Sequence, residues 1–144
     1  MARWYEKLFP VLEELNVGFV AFSPLANGFL SDAFKKGEKF EDGDFRNRMP
    51  QYKEENYDAN RELLDYVRKL AAEKNATPAQ ISLAWMINKK PYIVPIPGSR
   101  KVERIRENFE SGNIILTSDE VAQIDRQLDM IETSGVFGGS PVKK

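Results

Sequence analysis

Residues 17–22 read VGFVAF, an apolar run rich in branched and aromatic side chains that stops at Ser23-Pro24. A strand with no polar face is buried on both sides, and such strands belong to parallel sheets covered by helices. The residues before it fit that frame. Pro10 suits the first turn of a helix, Val11, Leu12 and Leu15 fall on one side of it, and Asn16 can close it in the left-handed conformation. A helix, a tight turn and a two-side-buried strand together predict an α/β fold with a parallel sheet.

The remaining sequence supplies further helices. Residues 26–55 keep no sustained period and mix Gly, Pro and charges, yet Phe29, Leu30, Phe34, Phe40 and Phe45 call for burial. They predict a long ordered loop, and long loops in compact domains tend to be functional. A helical period returns over 56–74, with Tyr57, Leu64, Val67, Leu70 and Ala71 on one face. Thr77-Pro78-Ala79-Gln80 is a capping box that opens another helix, whose buried side takes Ile81, Ala84, Trp85 and Met86. Trp4 and Trp85 both suit a core. Tyr92-Ile93-Val94 begins a second strand, kept short because Pro95 and Pro97 donate no ladder hydrogen bond. A helix then starts near Ser99 or Lys101 with Val102, Ile105 and Phe109 inward. A second capping box at 117–120 opens a C-terminal helix over 118–131, carrying Val121, Ile124, Leu128 and Ile131, before a loosely ordered tail, GVFGGSPVKK.

Composition serves mainly to exclude. At 144 residues the chain suits one domain, residues 1–144, with a core of its own. It has neither cysteine nor histidine, so disulfides, serine-histidine and cysteine-histidine catalysis and the usual zinc sites are out. Glu41-Asp42-Gly43-Asp44 lacks EF-hand spacing, and no metal site is expected. A net charge of −1 gives no global field for nucleic acid or an anionic membrane. No apolar run approaches a membrane span, and MARWYEKLF lacks the apolar core of a secretory signal. These features predict a cytoplasmic protein with no nucleic-acid or membrane partner.

The chemistry is concentrated at two strand ends. Gly98-Ser99 leads from a strand into a helix, where unpaired backbone N–H groups meet the positive end of the helix dipole. Gly98 lets the backbone approach a bound group, Ser99 can cap or donate, and Arg100, Lys101 and Arg104 add charge, as a phosphate site requires. A plainly capped helix with solvated basic residues accounts for the local pattern equally well. Phe22-Ser23-Pro24-Leu25 stands just past the other strand, where ligands of parallel sheets bind, although by itself it reads more simply as a turn.

Taken in order, MARWYEKLFPVLEELNVGFVAFSPLANGFLS, DFRNRMPQY, TPAQISLAWMI and VPIPGSRKVERIREN resemble the C-terminal half of the aldo-keto reductases across essentially the whole chain. The resemblance implies the C-terminal portion of a (β/α)8 TIM barrel, here an incomplete half-barrel. It implies NADP(H) binding without a Rossmann fold, and reduction of aldehydes or ketones by hydride transfer. Carried over, it implies that Phe22 stacks on the nicotinamide and that Ser23, Pro24 and Leu25, with Ala26 and Asn27, line the pyrophosphate. Gly98, Ser99, Arg100 and Arg104 hold the adenosine 2′-phosphate, Glu107 and Asn108 meet the adenine, and Arg46 closes over the pyrophosphate. Two guanidinium groups able to clamp a phosphate favour NADP over NAD.

Sequence departures from the family pattern also bear on function. Ala26-Asn27 stand where the family often has Gly then Lys or Arg, and Ser31-Asp32-Ala33 replace its small residues. The family's catalytic Asp, Tyr, Lys and His belong to its N-terminal half, and no segment here matches them. Tyr5, Tyr52, Tyr57, Tyr66 and Tyr92 occupy other positions, so no catalytic residue is assigned. The expectation is an inactive cofactor-binding half of a reductase of small-molecule carbonyls. Its inward apolar residues, Val17, Phe19 and Val20 among them, would be open to self-association or to pairing with the missing N-terminal half. A non-catalytic NADP(H)-binding module and an inactive structural fragment are the alternatives.

Overall fold

The computed structural model describes residues 3–130. Ile131 and the GVFGGSPVKK tail lie outside the described residues, as does the side chain of Trp4. After a 3-10 segment at Arg3–Leu8, helix α1 runs over Phe9–Glu14 with Pro10 in its first turn. Asn16 turns left-handed at φ 52°, and the chain enters strand β1, Phe19–Ala21. Helices α2 (Glu54–Ala59), α3 (Arg61–Glu73) and α4 (Pro78–Lys89) precede strand β2, Ile93–Pro95. Helices α5 (Val102–Glu110) and α6 (Ser118–Met130) complete the described chain.

β1 and β2 pair in parallel, with Phe19 opposite Ile93, Val20 opposite Val94 and Ala21 opposite Pro95. The N–H of Ile96 donates to the carbonyl of Ala21 at 3.1 Å, so pairing resumes one residue beyond the proline. Alternation along the strands then separates two faces. Ala21 and Ile93 join Phe9, Val67, Leu70, Ile81, Ala84, Trp85, Met86 and Ile124 in one core, with Phe19 packed against it. Phe9 meets Phe19 and Tyr92 edge-on, with centroids 6.1 and 6.0 Å away. Val20, Phe22, Val94 and Ile96 point the other way and are each more than half exposed. The expected two-sided burial of the first strand therefore fails. The helices cover one face only, nothing among the described residues covers the other, and Phe19 belongs to the covered side.

α4 is the hub. Thr77 and Gln80 form the expected capping box: the Gln80 N–H donates to Thr77 Oγ1 at 3.2 Å and the Thr77 N–H to Gln80 Oε1 at 3.0 Å. Every residue from Ala79 to Met86 is buried, because α3, α6, the sheet and the long loop all pack around this helix. Beside it Lys89, 8% exposed at its side chain, bridges Glu6 at 2.6 Å and Asp125 at 2.7 Å, while Trp85 Nε1 donates to Asp125 at 3.0 Å. The second capping box also forms, with the Thr117 N–H on Glu120 Oε2 at 2.7 Å.

Three further expectations are corrected. The helix expected over 56–74 is two helices that part at Asn60, a buried residue with φ −93° and ψ 3° whose Nδ2 donates to the Asn56 carbonyl at 2.6 Å. That local side-chain bond competes with a continuous helix. Val102, Ile105 and Phe109 do not point inward: they form an apolar stripe on α5 that is 60%, 52% and 82% exposed. The spacing that reveals such a stripe is blind to whether a layer lies over it. In the loop at 26–55, Phe29 is buried and Phe34 and Phe40 partly so, but Phe45 stands out at 56% exposure.

Candidate functional site

The chain leaves β1 through an unusual backbone. Ser23, Ala26 and Asn27 take positive φ values of 49°, 53° and 57°, and Gly28 follows at 99°. Left-handed non-glycine residues are strained, and such strain gathers at functional sites. Gly28 also cannot be replaced freely: a Cβ there would lie 2.7 Å from the Phe34 ring. The fold keeps this turn tight by an N–H bond from Ala26 to the Ser23 carbonyl at 3.1 Å and by Ser31 Oγ donating to the Gly28 carbonyl at 2.7 Å.

The chain leaves β2 through Ile96 and Pro97 into Gly98-Ser99. Ser99 Oγ accepts the Lys101 N–H at 3.1 Å, so it caps the turn; helix α5 itself starts at Val102 and its N-cap, Lys101, makes no side-chain cap. The first N–H groups of α5 are thus left without a capping side chain, at the positive end of its dipole. Arg100 and Lys101 are exposed and Arg104 half-buried, and no ion pair engages any of the three among the described residues. A Cβ added at Gly98 would meet nothing within 4 Å.

These two exits open into one cleft of about 720 Å³. Ser23, Pro24, Leu25, Asn27, Arg46, Gly98, Ser99, Arg100, Arg104 and Asn108 all line it. Three candidates do not. Phe22 lies on the open face of the sheet, and Ala26 is buried beneath the turn. Glu107 is engaged elsewhere: Thr77 Oγ1 donates to its carboxylate at 2.6 Å and Gln80 Nε2 to its carbonyl at 3.1 Å, which anchors α5 to the start of α4.

Sequence reasoning omitted several lining residues, among them Gly28, Ser31, Phe34, Phe45 and Ile96. The aperiodic loop gave no signal for which of its rings would face a cleft. Lys101, named with Arg100 and Arg104 among the basic residues of this turn, lines it as well.

Electrostatically the cleft is cationic, with no carboxylate and no tyrosine in its lining. Asp44 sits behind Arg46, whose guanidinium holds the Asp44 carboxyl at about 2, well below the usual carboxylate range. Burial pushes the Tyr52 phenol up to about 12, and its hydroxyl donates to the Asn27 carbonyl at 2.9 Å. Tyr92 donates instead to Glu13 at 2.9 Å. No group of three potential metal-ligating acidic side chains occurs among the described residues, and no helix there is long and apolar enough to cross a membrane. The arrangement suits a ligand with phosphate groups, and its lining contains no carboxyl, tyrosine or histidine side chain.

Comparison with known proteins identifies the lineage. The sequence profile of the Aldo/keto reductase family matches residues 1–129, and the chain belongs to that family. It is 38% identical over 122 residues to the aldo-keto reductase yakc [NADP(+)] of Schizosaccharomyces pombe, covering 85% of this chain and 36% of that protein. It is 34% identical over 128 residues to the aldo-keto reductase str7 of Strobilurus tenacellus, covering 89% and 38%. Among solved structures, glycerol dehydrogenase AKR11B4 from Gluconobacter oxydans aligns with a TM-score of 0.79 over 98% of this chain and 41% of that one, at 21% identity. The thermostable aldo-keto reductase Tm1743, solved with the inhibitor epalrestat, aligns at 0.61 over 87% and 35%, at 26% identity. These neighbours are TIM-barrel proteins, and the fold here is α/β with a two-stranded parallel sheet. The chain spans little more than a third of the two relatives matched in sequence.

Proposed function

We propose that this chain is the cofactor-binding C-terminal portion of a (β/α)8 barrel, from an NADPH-dependent aldo-keto reductase that reduces aldehydes or ketones by hydride transfer. The observation that carries the reading is that two strand ends far apart in sequence open into a single cationic cleft. In it Gly98, Ser99, Arg100 and Arg104 would hold the adenosine 2′-phosphate, and Asn108, with Glu107 behind it, would border the adenine. The strained turn of Ser23, Pro24, Leu25, Ala26 and Asn27 would border the pyrophosphate together with Arg46, and Phe22 would lie against the nicotinamide. The residues fit such a group: Arg100 and Arg104 have no competing carboxylate among the described residues, and uncapped helix N–H groups stand beside them. Bound there, the cofactor supplies hydride; the chain's residues bind and orient it.

One observation favours a second reading for the isolated chain. The cleft lining contains no tyrosine, carboxylate or histidine to give a carbonyl oxygen its proton. Alone, the chain is then a non-catalytic NADP(H)-binding module, and catalysis belongs to a protein that also carries the family's Asp, Tyr, Lys and His. The open face bearing Val20, Phe22, Val94 and Ile96 favours association, with a second copy or with an N-terminal half. Titrating NADPH and following its fluorescence tests the binding reading, and a flat signal overturns it. Adding an aromatic aldehyde and following NADPH absorbance separates the two: the binding module leaves NADPH unconsumed, whereas turnover makes the chain itself an enzyme.

A further inference from the structure

Arg46 is held from several sides before any ligand arrives. Its guanidinium carbon lies 4.5 Å from the centroid of the Phe34 ring and 4.4 Å from that of Phe40. Its Nε donates to both carboxylate oxygens of Asp44 at 3.0 Å, its Nη2 donates to Asp44 Oδ2, and its backbone N–H reaches the same carboxylate at 2.8 Å. Tyr52 stands edge-on to Phe40 and Phe34, with centroids at 4.9 and 5.7 Å. Its hydroxyl then reaches the Asn27 carbonyl at 2.9 Å, tying the aromatic cluster to the strained turn after β1. Arg46 and Asn27 line the same cleft.

A guanidinium has five N–H donors, and Asp44 occupies only the edge made by Nε and one Nη2 hydrogen. The other edge stays available. A free arginine loses rotamer entropy when it binds an anion; one already clamped loses little. We infer that Asp44, Phe34, Phe40 and Tyr52 are positioning residues that fix Arg46 on the cleft wall in advance. The loop at 26–55 therefore meets the cofactor's diphosphate as a preformed wall. This rests on the NADP(H) reading, since the diphosphate is the anion Arg46 would meet. Asp44 has a second consequence. It cancels the net charge of Arg46, so Arg46 contributes directed donors while Arg100, Lys101 and Arg104 supply the field.

The two consequences oppose each other in Asp44→Asn, which makes the variant decisive. Freed of its partner, Arg46 gains net charge but loses its fixed orientation. The intact chain and the variant are titrated with NADPH and with adenosine 2′-monophosphate, which carries the 2′-phosphate and no diphosphate. Loss of positioning is expected to weaken NADPH about five- to tenfold and to leave adenosine 2′-monophosphate unchanged. Tyr52→Phe, which removes only the bond to Asn27, is expected to act in the same direction. Trypsin cleavage after Arg46 and Arg48 is expected to quicken in both variants without ligand, and circular dichroism checks that each folds. A wild-type chain that binds neither ligand overturns the NADP(H) reading and this inference with it. A wild-type chain that binds both, with Asp44→Asn equal to it or tighter for NADPH, overturns this inference alone.

Discussion

Gly98 has open space where a Cβ would go, and its φ lies outside the left-handed region. The folded chain therefore tolerates alanine there, and fewer unfolded conformations would if anything stabilise the variant. A bound phosphate does not tolerate it if the backbone must approach closely. Gly98→Ala is expected to leave the melting temperature unchanged or slightly raised while weakening NADPH by about tenfold or more. Thermal unfolding and a fluorescence titration on the same sample check both halves. Most of the candidate residues share the cleft wall, and they were legible at this scale because Ser23, Arg100 and Arg104 follow strand ends, where ligands of parallel sheets bind. Phe45 was not legible: a phenylalanine in an aperiodic loop reads as core, and only the fold shows that Asp44 and Arg46 hold the chain so that this ring faces the cleft.

Among the elements, capping was the most readable signal, since both Thr-x-x-Gln and Thr-x-x-Glu boxes form with the expected bonds. Thr77 does more than cap, because its hydroxyl also reaches Glu107 and ties α5 to α4. Thr77→Ala is expected to cost about 1–2 kcal/mol in urea unfolding, with Thr77→Ser recovering most of it. The break at Asn60 escaped the periodicity because α2 and α3 keep their apolar residues roughly in step across it. The long loop has its own pH signature. Asp44 has a folded-state pKa of about 2, below the ordinary 3.8, so the stabilisation it gives is complete above the higher value and is lost as pH falls through the lower. Near-ultraviolet circular dichroism from the Phe34, Phe40 and Tyr52 cluster is expected to hold from neutrality to about pH 4 and to fall toward pH 2. Asp44→Asn is expected to remove that step; a step that persists in the variant would assign it to another carboxylate.

For the molecule as a whole, the sequence conveyed apolarity but not coverage. VGFVAF is apolar throughout, yet only the side bearing Phe19 and Ala21 meets helices, and the Val20 and Phe22 side stays open. The stripe of Val102, Ile105 and Phe109 on α5 has the same character. Both surfaces are apolar and exposed among the described residues, and the chain spans little over a third of its matched relatives. What the chain holds by itself is a helix-backed pair of parallel strands whose exits converge on one cationic cleft. The claim that this cleft recognises the 2′-phosphate of NADP is tested most directly by calorimetric titration of NADPH and NADH at one ionic strength, with the wild-type chain and with Arg100→Gln/Arg104→Gln. The wild type is expected to prefer NADPH by about tenfold or more, and the double variant to bring the two within about twofold while NADH affinity holds. Equal affinity in the wild type, or a preference for NADPH that survives the loss of both guanidinium groups, would contradict the account.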